Sequence, residues 1–191
     1  GSLPDWLKPF LPESFPLEFS PDHIEMLGLM QETIESGGMY AIAMPRGTGK
    51  TTSSVGAGLW GILEGHIKYL VLVGGDSKSA GEMLDFIKTQ LLHNERIQRG
   101  YAPVTGWMDV TYDIDGDAEF THTGYLSQGE GQALRYKSQL RPDGRKPHVE
   151  WSKSPPKVVL PWLPEDTRKE HDIKCCGAII EARGLTGGLR G

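Results

Sequence analysis

The chain has 191 residues, 38% of them hydrophobic, enough to bury the core of a single domain, and its formal charge of −5 excludes the surface, basic throughout, of most small nucleic-acid-binding modules. No apolar run approaches the roughly 20 residues of a membrane-spanning helix, and Pro4, Asp5, Pro9 and Pro12 interrupt any apolar core that a signal peptide would need. The two cysteines, Cys175 and Cys176, are adjacent, a spacing poor for a disulfide and wrong for a zinc site, so a reducing cytoplasm is expected.

Residues 1–19 alternate prolines with Trp6, Leu7, Phe10, Leu11, Phe15 and Phe19. Recurrent proline argues against a helix, and the apolar side chains need cover, which predicts an extended arm lying on the domain formed by 20–191. Ser20-Pro21-Asp22 then reads as a helix start: a capping hydroxyl, a proline at the first position and a carboxylate at the positive end of the dipole. Ile24, Met26, Leu27, Met30 and Ile34 continue at helical spacing until Gly37-Gly38 ends the run.

A short apolar stretch, Met39 to Met44, is expected as a strand, and Pro45-Arg46-Gly47-Thr48-Gly49-Lys50-Thr51-Thr52 follows it. The pattern is that of a phosphate-binding loop. Gly47 and Gly49 permit a turn sharp enough for successive N–H groups to face one concavity, and the helix that begins there favours an anion. Lys50 would reach terminal phosphates and the Thr51 hydroxyl a magnesium ion. Met44 stands where the usual pattern has its first glycine; the alternative reading is a glycine-rich turn with an exposed lysine.

Residues Thr51 to Leu63 are expected to be helical, with Gly56, Gly58 and Gly61 allowing close packing on a sheet. Ile67 to Val73 reads as a strand buried on both faces, completing a βαβ unit. Gly74-Gly75-Asp76-Ser77 follows where α/β sheets place their ligand crevice, and Ser79 with Glu82 forms a candidate capping box for a helix to about Ile97. Residues 100–150 form an insertion with a β-hairpin expected near Met108 to Thr121. Asp113, Asp115 and Asp117 lack the glycine and glutamate positions of an EF-hand. Arg135, Lys137, Arg141, Arg145, Lys146, Lys153 and Lys157, interleaved with Tyr136, His148 and Trp151, suit either a nucleic-acid backbone or a solvated loop. Lys157 to Leu160 and Gly177 to Ala182 read as strands, and a second glycine-rich loop ends the chain.

These segments, in this order, resemble the N-terminal ATPase domain of a bacteriophage terminase large subunit, a P-loop DNA-packaging motor. Pro45 to Thr52 is similar to that family's variant Walker A, which keeps an arginine four residues before the lysine and often lacks the first glycine. Gly75 to Ala80 with Glu82-Met83-Leu84, Val149 to Ser152 and Gly177 to Ile180 resemble later family segments over roughly Phe19 to Gly191. The resemblance implies an α/β fold of P-loop NTPase type, a mainly parallel sheet flanked by helices, truncated before the Walker B strand. It implies ATP and Mg2+ as cofactors, with Pro45, Gly47, Thr48, Gly49, Lys50, Thr51 and Thr52 around the phosphates, Thr51 on the metal and Arg46 coupling hydrolysis to movement. His23 falls at the position of the family's adenine-contacting glutamine.

The partners implied are double-stranded DNA, through Ser77, Lys78, Lys146, Thr186 and Arg190, together with a small subunit, a portal protein and further copies in a ring. The implied compartment is the cytoplasm of a bacterial host. With Walker B and its adjacent catalytic glutamate expected beyond Gly191, little or no turnover is expected of these 191 residues. A superfamily 2 helicase-like ATPase and a nucleotide-binding module without turnover are the competing readings.

Overall fold

The structure is a computed structural model, and it describes residues 1–101, 104, 111–112, 118–119, 133–135, 148–153, 156–160, 165–170 and 172–186. It is mixed α/β and divides into two compact units, Gly1–Ile67 and Lys68–Gly191.

The first unit contains three helices: α1 (Leu3–Phe10), α2 (Pro21–Ser36) and α3 (Lys50–Leu63). Helix α1 replaces the extended arm expected over residues 1–19. Pro4 lies in its first turn, where no N–H is needed, Ser2 caps it, and Pro9 falls only in its last turn. Leu3, Trp6, Leu7 and Leu11 share one helical face and are buried, each leucine contributing about 2 kcal/mol. The apolar spacing outweighs the proline count. The Leu3 amide donates to Gln31 Oε1 on α2 at 2.8 Å, tying the two helices.

Helix α2 begins and ends as the sequence predicts: Ser20 is the N-cap, Pro21 follows, and Gly37 closes it at φ 79°. The glycines of α3 correct their expected role. A Cβ on Gly56 would stand 2.9 Å from Leu7 Cδ2 on α1, and one on Gly61 would stand 3.0 Å from Ile34 Cγ2 on α2, so helices, not a sheet, approach them. The expected strand Met39 to Met44 is absent, with Met39 94% exposed. Apolar composition signals a need for cover, but a strand also needs a neighbour for its backbone ladder, and here the βαβ unit is not closed.

The second unit is built on a five-stranded sheet in the order β1-β7-β6-β5-β4, formed by β1 (Tyr69–Gly74), β4 (Ala133–Arg135), β5 (His148–Lys153), β6 (Pro156–Val159) and β7 (Ile179–Gly184). Only β1 and β7 pair in parallel; β7 with β6, β6 with β5 and β5 with β4 are antiparallel. The expected mainly parallel sheet is thus corrected, because the short link from β5 to β6 permits only antiparallel pairing. A separate hairpin of β2 (Thr111–Tyr112) and β3 (Ala118–Glu119) sits where one was expected; Asp113, Asp115 and Asp117 lie outside the described residues.

Helix α4 (Ser77–His93) packs on β1 and β7 through Ala80, Leu84, Ile87 and Leu91, covering the face that carries Leu72, Ile180 and Ala182. On the opposite face Tyr69, Val71 and Val73 are 55%, 40% and 53% exposed, so β1 is buried on one face and not on both. Asn94 stops α4 and caps α5 (Glu95–Gly100), dividing the single helix expected to reach Ile97. A last helix, α6 (Glu165–Glu170), precedes β7. Both cysteines are buried, and neither forms a disulfide among the described residues.

Candidate functional site

The glycine-rich loop joins residues without regular structure to the N-terminus of α3. Gly47 (φ 83°) and Gly49 (φ 76°) both take left-handed backbone, conformations costly for any residue with a Cβ, and Gly49 is the N-cap of α3. Gly49 has no capping side chain, so the first-turn N–H groups of α3 receive none from their own cap. The loop is tied across itself. Thr48 Oγ1 donates to the Pro45 carbonyl at 2.9 Å, and the Lys50 ammonium turns back to donate to the Met44 carbonyl at 2.7 Å and the Pro45 carbonyl at 2.6 Å. A cation is therefore held at the rim of the loop by acceptors that a phosphate oxygen can replace. Arg46 and Thr51 are exposed, and Thr52 is half-buried.

His23 braces the loop from α2. Its Nε2 lies 3.0 Å from the Thr48 carbonyl and its Nδ1 2.6 Å from Ser20 Oγ. A carbonyl only accepts, so Nε2 carries a proton; in the neutral ring Nδ1 then accepts from the Ser20 hydroxyl. Both nitrogens are thereby engaged, and His23 positions the loop without a free edge to offer a base.

Beside the loop is a cavity of about 280 Å3, walled by Ser14 to Phe19, His23, Gly47 to Gly49, Thr52 and Ser53. The Phe15 and Phe19 rings stand tilted at 5.5 Å between centroids, and Phe19 also meets His23 at 6.4 Å. Glu18 is paired with Lys8, whose ammonium also lies over the Phe19 ring. In the sequence Phe15 and Phe19 show only as apolar residues needing cover, and Ser53 does not stand out. The available signals were the position of Phe15 and Phe19 just before the α2 cap and of Ser53 one helical turn after Gly49, on the same face of α3.

The residues expected to meet nucleic acid belong to the second unit. Ser77, Lys78 and Thr186 gather at the C-terminal ends of β1 and β7; Lys146 and Arg190 lie outside the described residues. Asp76, not Ser79, caps α4: its carboxylate accepts from the Ser79 amide at 2.7 Å, which corrects the expected capping box. The Ser79 bonds hold the Asp76 carboxyl below its ordinary value. Thr186 Oγ1 donates to the Gly75 carbonyl at 3.4 Å, and Lys78 pairs loosely with Glu82 at 3.9 Å. Of the basic tract, Arg135 lies in β4 and Lys153 in β5, and the Lys157 side chain with Arg183 and Tyr69 surrounds Glu181 on the sheet.

Among the described residues no cluster of three or more His, Cys, Asp or Glu could hold a metal ion, and no helix is long and apolar enough to cross a membrane. A magnesium ion held by one hydroxyl and phosphate oxygens needs no such cluster, so Thr51 remains compatible with that role. Comparison with protein-family models, curated proteins and solved structures finds no match.

Proposed function

We propose that the loop from Pro45 to Thr52 binds the polyphosphate of ATP with magnesium, and that the chain serves as the ATPase domain of a DNA-packaging motor of the terminase large-subunit type. The observation that carries the nucleotide reading is the loop itself: two left-handed glycines, a helix N-terminus free of a side-chain cap, and a lysine folded onto the loop's own carbonyls. On ligand entry Lys50 exchanges the Met44 and Pro45 carbonyls for β- and γ-phosphate oxygens, while amides from Gly47 to Lys50 take the remaining oxygens. Magnesium, when bound, would supply charge neutralisation, and the Thr51 hydroxyl would hold it.

Arg46, exposed at the loop, is assigned to sensing the terminal phosphate, and His23 to keeping Thr48 in place. The motor reading rests on the ordered resemblance of several segments. Ser77, Lys78, Lys146, Thr186 and Arg190 are assigned to the DNA backbone, and ring assembly with a portal and small subunit follows from the same resemblance. None of these residues is placed as the base that orients water, so binding without appreciable turnover is expected of the 191 residues.

The test is calorimetric titration of the chain with Mg-ATP, Mg-ADP and AMP. Affinity is expected to fall as phosphates are removed, and Lys50→Ala is expected to weaken ATP binding by at least about tenfold, since hydrogen bonds to charged groups are the strong ones. Equal affinity for ATP and AMP, or an unaffected Lys50→Ala variant, overturns the assignment. Multiple-turnover hydrolysis abolished by Lys50→Ala would overturn the expectation of incomplete catalysis while supporting the loop.

A further inference from the structure

We propose that the cavity beside the loop receives the base of a purine nucleotide by its faces and does not discriminate adenine from guanine, with the Ser53 hydroxyl as its buried polar contact. The inference rests on reading the loop as a polyphosphate site, and adds to it which nucleotides the site accepts.

Ser53 is the starting point. It is 1% exposed, it lines the cavity, and its Oγ has no hydrogen-bond partner among the described residues. A buried hydroxyl without a partner is unfavourable, and a serine in a helix ordinarily has a backbone carbonyl within reach; here the group is left for something that enters the cavity. The walls around it are suited to a flat apolar body. Phe15 and Phe19 contribute aromatic rings, Pro16 and Leu17 add apolar surface, and the volume of about 280 Å3 has room for one base with its sugar. The phosphates of the same molecule fall toward Gly47 to Gly49, which share the cavity wall.

The polar groups on that wall cannot read a purine edge. Distinguishing adenine from guanine requires a fixed donor and acceptor in a set order, as an asparagine or glutamine amide provides. Neither residue type occurs among the lining side chains. Both nitrogens of His23 are committed, one to Ser20 and one to Thr48, and Glu18, whose side chain is 94% exposed, pairs through Oε1 with Lys8 and offers acceptors only, not the donor and acceptor together that a purine edge needs. What remains are hydroxyls, those of Ser14, Thr52 and Ser53, and a hydroxyl rotates: it accepts from the 6-amino group of adenine or donates to the 6-oxo group of guanine equally well. Stacking on phenylalanine is likewise shared by both purines, and a pyrimidine presents less face to it.

The experiment measures binding of Mg-ATP, Mg-GTP, Mg-CTP and inorganic tripolyphosphate to the full chain, to Ser53→Ala and to Phe19→Ala. ATP and GTP are expected within about threefold of each other, and CTP and tripolyphosphate about tenfold or more weaker. Ser53→Ala is expected to weaken both purine nucleotides together by about three- to tenfold and to leave tripolyphosphate unchanged, while raising the melting temperature, because it removes an unpartnered buried hydroxyl. Lower affinity with higher stability is a pair of changes that a merely structural serine does not produce. Phe19→Ala is expected to weaken ATP and GTP alike.

A tenfold or greater preference for ATP over GTP, or purine binding untouched by Ser53→Ala, overturns the proposal. Tripolyphosphate binding as tightly as ATP would overturn the base cavity and leave the phosphate loop standing. Failure of every one of these ligands to bind would remove both.

Discussion

Four glycines show how local geometry decides the sign of one substitution. Gly28 lies in α2 with nothing within 4 Å of a notional Cβ, so Gly28→Ala is expected to stabilise by about 1 kcal/mol through helix propensity alone. Gly56 lies in α3, where the same gain meets Leu7 and Leu11 methyl groups that are themselves buried, and the two effects offset to within about 1 kcal/mol. At Gly184 the added carbon would stand 2.3 Å from the Ser77 amide nitrogen, and at Gly74 2.6 Å from that of Ala80; backbone cannot yield as a methyl can. Gly184→Ala is expected to destabilise by about 3 kcal/mol or more. Urea denaturation of Gly28→Ala, Gly56→Ala and Gly184→Ala checks the order; a Gly184→Ala variant as stable as the parent would contradict the close approach.

Among the elements, the start of α2 links stability to the site. Ser20→Ala removes both the cap on the His23 amide and the partner of His23 Nδ1, so a cost of about 1 kcal/mol is expected, together with weaker nucleotide binding as Thr48 loses its brace. Ser20→Asp keeps a capping acceptor and is expected to recover most of the stability; denaturation read beside ATP titration separates the two effects. This helix was legible in the sequence because Ser20, Pro21 and Gly37 are local signals acting within one turn. The loop before α3, the short hairpin and the strands β6 and β7 were legible for the same reason. Helix α1 was not: its apolar spacing at Leu3, Trp6, Leu7 and Leu11 was present, but proline positions had to be weighed individually. The Met39 to Met44 segment and the exposed face of β1 also defeated sequence reading, since strand pairing and second-face cover depend on neighbours distant in the chain. The cavity was invisible for the same cause: Phe15, Phe19 and Ser53 meet only once α2 and α3 have packed.

At the scale of the whole molecule, three carboxylates among the described residues, Glu181, Asp76 and Glu165, lie below their ordinary values and shape the response to acid. The Arg183 guanidinium, above all, and the Tyr69 hydroxyl hold Glu181 below its ordinary value of 4.5, and Ser79 holds Asp76 below its ordinary 3.8. All three groups bind protons less readily when folded than when unfolded, so their contribution is complete above the ordinary carboxylate values and is lost as the pH falls through the depressed ones. Stability is expected to be level from neutral pH to about pH 5 and to fall below about pH 4, with a shallower fall in Glu181→Gln. An acid limb of unchanged slope in that variant would rule out Glu181 as a contributor. On the alkaline side Tyr69 is raised, because it donates to Glu181, and its contribution is lost only as the pH climbs past its ordinary value of 10.0.

The crossing at Gly184 has a mechanical meaning. The Ser77 amide lies against that glycine, the Leu185 amide bonds to the Gly74 carbonyl, and the Thr186 hydroxyl reaches the Gly75 carbonyl, so the two strand ends are latched at three successive residues. A pull on the chain just after β7 is therefore passed to the first turn of α4, a 17-residue helix about 25 Å long that is seated on β1 and β7, so the load spreads into the sheet.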